Sequence, residues 1–133
     1  MSSLDQIKIT VAGMENRAIV HSLLTEVVAL LERYLKTGEV GELNLLSQPL
    51  SPADLQALEQ TLGRGEIEIN LQVMGVSQII ETQFSGVWRV IHKDDEGRLV
   101  AHTIEIAPVP SIVEVQSGEM RRSTEQIKQL VEK

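Results

Sequence analysis

Four strand-like runs follow one another between residues 66 and 106 with only turns between them, and this crowding constrains the fold more than any other feature. Residues 66–73 alternate, with Ile67, Ile69, Leu71 and Val73 on the inward side, and runs at 77–83, 87–92 and 99–106 follow. Two-residue periodicity bounded by glycine and aspartate is strand chemistry. The acidic, glycine-containing stretch Lys93-Asp94-Asp95-Glu96-Gly97-Arg98 reads as a hairpin loop between the last two strands. Strands gathered together and joined by short turns predict a mostly antiparallel sheet.

Upstream the period changes from two to that of a helix. Across residues 17–37, Val20, Leu23, Leu24, Val27, Leu31, Tyr34 and Leu35 recur at helical spacing, Lys36 sits in the last turn and Gly38 provides the stop. Val28 and Leu30 widen this apolar stripe beyond what one sheet face needs. Deep burial explains the width, and so does a second contact surface for a twin subunit or a client. A short strand is expected at 43–46. Ser51 then serves as N-cap, Pro52 as first helical residue and Asp54 as a carboxylate near the positive end of the helix dipole. Leu55, Leu58 and Leu62 line that helix's core side and Gly63 closes it.

Pro108 and Pro110 end the sheet, and residues 117–133 read as a terminal helix with Met120, Ile127, Leu130 and Val131 on one side. At the other end, residues 6–11 alternate as a strand or N-terminal arm. The expected architecture is a single α+β domain over residues 1–133, a mostly antiparallel sheet packed against two or three helices.

Charge and residue usage narrow the function classes. Twelve Lys and Arg against 19 Asp and Glu give a net charge of −7, which opposes binding to a phosphate backbone. Tyr34, Phe84 and Trp88 are the three aromatics, too few for a base-stacking platform, so no nucleic-acid partner is expected. Cysteine is absent, which removes disulfides, thiolate nucleophiles and thiolate metal ligation. The sequence contains no apolar run of the roughly 20 residues a membrane span requires, and no membrane association is expected. The N-terminus lacks the apolar core of a signal peptide, so the expected compartment is the cytoplasm.

Motifs for catalysis are sparse. Gly63-Arg64-Gly65 follows a helix and precedes a strand, the reverse of a dinucleotide fingerprint, and reads as a helix cap and turn. His21 lies on the first helix as a surface or boundary residue. His92 and His102 fall on paired strands. If Asp94 stands opposite Arg98, both histidines share a face, and with a glutamate they could serve a small metal-dependent or acid–base enzyme; a one-residue slip separates them. Three ligands are the minimum for such a metal site, and Glu105 would point away. Glu66 and Glu68 are explained as solvated residues of an amphipathic strand. Trp88, two residues after the Gly86 turn, is a core anchor or a contact hot spot.

Taken in order, Gln48-Pro49-Leu50-Ser51-Pro52, Leu62-Gly63-Arg64-Gly65-Glu66-Ile67, Glu81-Thr82, Gly86-Val87-Trp88-Arg89-Val90 and Ile104-Glu105-Ile106 with its following prolines resemble the conserved C-terminal region of the HupH/HyaF hydrogenase expression/formation proteins. The similarity runs over residues 20–110, and full-length members of that family are longer. The resemblance implies a non-enzymatic, chaperone-like role in maturation of nickel–iron hydrogenase. The implied partners are the large subunit or its precursor and other maturation factors. From the residues themselves no cofactor and no metal site is expected; with no cysteine, carriage of a soft metal centre on thiolates is excluded. Glu81, Thr82, Gly86, Trp88 and Glu105 lie in the family-like segments without catalytic partners and are the expected partner-binding residues. A homodimer, or a plain homo-oligomeric module built on the wide first helix, is the remaining expectation.

Overall fold

The computed structural model describes residues 18–72 and 74–132; the expected N-terminal strand at 6–11 lies outside the described residues, as does Val73. Helix α1 (Ala18–Thr37) leads into edge strand β1 (Gly41–Asn44), a 3-10 turn (Leu45–Ser47) and helix α2 (Pro52–Leu62). Strands β2 (Glu68–Gln72), β3 (Val76–Glu81), β4 (Val87–Lys93) and β5 (Leu99–Ile106) then form a meander. A second 3-10 turn (Ser111–Val113) precedes helix α3 (Ser117–Val131). The sheet order is β1-β5-β4-β3-β2, with every neighbouring pair antiparallel. This is the expected α+β architecture. No helix among the described residues is long and apolar enough to cross a membrane.

Local chemistry sets the element boundaries. Ser51 and Asp54 form a reciprocal capping box, each side chain taking the other's backbone N–H, with Pro52 at the first turn; a cap of this kind is worth about 1 kcal/mol. The first strand falls slightly earlier than expected because the Asn44 side chain accepts from Leu46 N–H and turns the chain out of the sheet. Strand β2 begins at Glu68 rather than 66 because the Glu81 carboxylate, not the strand ladder, receives the N–H groups of Glu66 and Ile67 (2.9 and 3.3 Å). Ile67, expected inward, is consequently exposed.

One sheet face carries the main core. Val20, Leu23 and Val27 of α1, Leu58 and Leu62 of α2, and Leu43, Val87, Ile104 and Ile106 of the sheet are all buried together with Leu45. Each such side chain contributes about 1.5–3 kcal/mol over remaining exposed. Two helices therefore close the core. None of the residues of α3 is buried.

Candidate functional site

The five expected partner-binding residues converge on one end of the sheet, where the β3–β4 turn meets the end of β5. Their side chains work inward there. Thr82, 1% exposed, donates from Oγ1 to Val87 O (2.8 Å) and accepts from Phe84 N–H (3.1 Å), folding the turn onto itself. Gly86 sits at φ +88°, a left-handed conformation that glycine adopts without penalty, and its carbonyl accepts from Ala107 N–H. Trp88 is 5% exposed and donates from Nε1 to Ala107 O (2.9 Å). Glu105, directly opposite Trp88 in the ladder, is 7% exposed. It accepts from Ser111 N–H (2.5 Å) and Ser111 Oγ (3.2 Å). Glu81 holds the Gly65–Ile67 loop, and Gln83 closes α2 by hydrogen-bonding the carbonyls of Thr61 and Leu62.

These residues form a rigid frame, and the surface it presents belongs to their neighbours. Phe84, Val40 and Val109 are each about half exposed. Tyr34, Gly38, Val40, Pro108, Val109 and Glu114 line a shallow cavity of about 290 Å³ beside the C-terminal end of α1. A Cβ on Gly86 would stand 4.0 Å from Leu31 Cδ2, so the β3–β4 turn abuts the same helix. Apolar side chains half exposed on an over-determined scaffold can contact a partner without ordering cost.

The histidine arrangement departs from the register in which His92 and His102 share a face. Asp94 does bond Arg98 across the loop, but the ladder shifts by one residue between His92 and Lys93, so that His92 pairs with Ala101 while Lys93 pairs with Leu99. The two histidines therefore point to opposite faces of the sheet. His92 Nδ1 is hydrogen-bonded to Ser77 Oγ at 2.6 Å. Among the described residues no three His, Cys, Asp or Glu side chains are placed to hold a metal ion together. The metal-dependent reading that needed both histidines loses its geometry. His21 is exposed, as expected of a surface position.

A different polar cluster lies beneath α2. Arg89 and His102 are buried on the helix-facing side of the sheet, and Arg89 Nη2 approaches the Glu59 carboxylate of α2 to 3.8 Å. Arg89 Nε and His102 Nε2 have no hydrogen-bond partner among the described residues. Burial pushes the His102 imidazole below its ordinary pKa, with the Arg89 charge acting in the same direction and Glu59 against it. The signal was present in the sequence: within the alternating run Val87-Arg89-Ile91, one inward position is charged.

The family profile described as HupH hydrogenase expression protein, C-terminal conserved region, matches residues 18–133, and so extends through α3 and past the 20–110 span of the resemblance. Hydrogenase expression/formation protein HoxQ of Cupriavidus necator is 26% identical over 110 residues, which is 83% of this chain and 39% of that protein. Hydrogenase expression/formation protein HupQ of Azotobacter chroococcum is 37% identical over 93 residues, 65% of this chain and 32% of that protein. The chain thus spans just over a third of the length of the curated relatives it matches. The solved structure of hydrogenase expression protein HupH from Thiobacillus denitrificans superposes with a TM-score of 0.81 at 32% identity, covering 86% of this chain and 96% of that one. The frame around Trp88 and the bare terminal helix therefore belong to a protein of the HupH C-terminal family of hydrogenase expression proteins.

Proposed function

We propose that this domain acts in maturation of nickel–iron hydrogenase as a non-catalytic accessory protein that holds the immature large subunit or another maturation factor, in the cytoplasm. The relatives' designation as hydrogenase expression/formation proteins supports the pathway. The observation that carries the holding role is the apolar end of the domain: Val40, Phe84 and Val109 stay half exposed around a frame whose own polar groups are internally satisfied. Exposed apolar groups on a rigid support suit recognition of an incompletely folded chain. Glu81, Thr82, Gly86, Trp88 and Glu105 act in this reading by shaping that surface.

The test is co-purification from cells expressing the cognate hydrogenase operon, with and without nickel. Capture of unprocessed large subunit, enriched when nickel is withheld and lost in Val40→Glu/Val109→Glu, is the expected result. Preparations free of every hydrogenase subunit and maturation factor in both conditions would refute the reading.

A further inference from the structure

Helix α3 is amphipathic and bare. Met120, Ile127, Leu130 and Val131 are all more than half exposed, Leu130 at 72%, and at 100° per residue they fall with Ser123 and Thr124 in one stripe. A 15-residue helix has marginal stability in water by itself, so a stripe of this kind calls for a covering surface. The stripe is three positions wide per heptad, broader than the two-position seam of a two-stranded coiled coil, and fits a helix laid against a folded body.

A matching surface exists on the same chain. On α1, Val28 and Leu35 are exposed beside the core-facing stripe, Leu35 at 83%, in line with Leu24, which itself packs partly against the core, and Ala29, Glu32, Arg33 and Lys36 flank Leu35 in an open groove. Both stripes span 12 residues, Leu24 to Leu35 and Met120 to Val131, or about 16 Å end to end at the helical rise. Charge favours the union. Arg121 and Lys128, two turns apart, edge one side of the α3 stripe, whereas residues 18–116 carry 14 acidic against six basic side chains; the opposition is one of overall charge, since Arg33 and Lys36 line the α1 groove together with Glu32.

The connection decides between the chain's own α1 and that of a second copy. Only residues 114–116 join the 3-10 turn to α3, and Glu114 and Gln116 are both extended (φ −79°, ψ 121° and φ −77°, ψ 148°). A short extended hinge carries a helix away from its own body and favours exchange between copies. We propose that α3 of one copy lies along the Leu24–Val28–Leu35 stripe of α1 in a second copy, reciprocally about a two-fold axis.

Light scattering of the full chain at tens of micromolar should give twice the 14.7 kDa chain mass. Ile127→Glu/Leu130→Glu and Val28→Glu/Leu35→Glu should each be monomeric, with a dimer dissociation constant raised at least 100-fold. Trp88 emission should stay unchanged, because all four positions lie outside the buried core. Mixing the two variants restores one of the two contacts and should yield a heterodimer. A wild-type monomer, a dimer that survives in either variant, or a mixture that stays monomeric would overturn the proposal. Neither arm depends on hydrogenase binding, so its failure is separable from failure of the holding role.

Discussion

Removing the Glu105 carboxylate tests whether the frame around Trp88 is held as the hydrogen bonds indicate. Glu105 is buried and receives two hydrogen bonds from Ser111, one short to the backbone N–H and one longer to Oγ. Hydrogen bonds to a charged acceptor are worth about 1.5–3 kcal/mol each when well formed, and a long neutral donor less. The gross loss in Glu105→Ala is therefore about 3 kcal/mol, offset by about 1 kcal/mol from no longer burying a carboxylate. The expected net destabilisation is about 2 kcal/mol, or roughly an 8 °C fall in Tm for a domain of this size. Urea unfolding followed by Trp88 fluorescence is the assay, since the indole stands directly opposite Glu105. The midpoint should fall by about 1 M with the slope unchanged. Glu105→Gln keeps one acceptor oxygen and should recover about half the loss, and Ser111→Ala should cost only about 0.5 kcal/mol. A Glu105→Ala protein within 0.5 kcal/mol of wild type would refute the reasoning, because the segment from Ala107 to Ser111 would then be held by something else.

Two further outcomes follow from neighbouring chemistry. His102 has a lowered pKa in the fold, so the unfolded chain takes up its proton first as the pH falls. Its contribution is flat above pH 6.5, and stability declines from there toward the folded pKa by at most about 1.4 kcal/mol per pH unit. The urea stability of wild type should fall relative to that of His102→Gln in that window as the pH is lowered, and parallel profiles would show that the imidazole is not desolvated. Gly65→Ala places a Cβ 2.7 Å from both Thr82 O and Glu81 Cδ, an overpacking worth about 2 kcal/mol. Introducing it in a Glu81→Ala background should cost measurably less, and strict additivity would mean that the two residues do not meet.

Much of the architecture was legible in the residues because it is local. The capping box at Ser51 and Asp54, the helical stripe of α1 and the exact span of β5 each follow from periodicity and cap chemistry within a few residues. The places that shifted all involve partners distant in sequence. Glu66 and Ile67 leave the ladder because a carboxylate 14 or 15 residues away takes their N–H groups. Trp88 and Glu105 sit in family-like segments, but only their burial and shared hold on residues 107–111 reveal that they shape the surface from behind. Phe84, Val40 and Val109, the exposed residues at that end, carry no local signal that sets them apart from core side chains.

By itself the sequence determined the elements, the α+β class and the family resemblance, since hydrophobic period, caps and turn residues act over one or two turns of chain. The tertiary structure decided which face each strand residue takes. The ladder shift between His92 and Lys93 sends two histidines to opposite sides of the sheet and removes the metal reading. It also decided that α3 stays uncovered while α1 and α2 close the core. An amphipathic pattern specifies that a stripe must be buried, and only the assembled fold shows whether the chain supplies a surface to bury it.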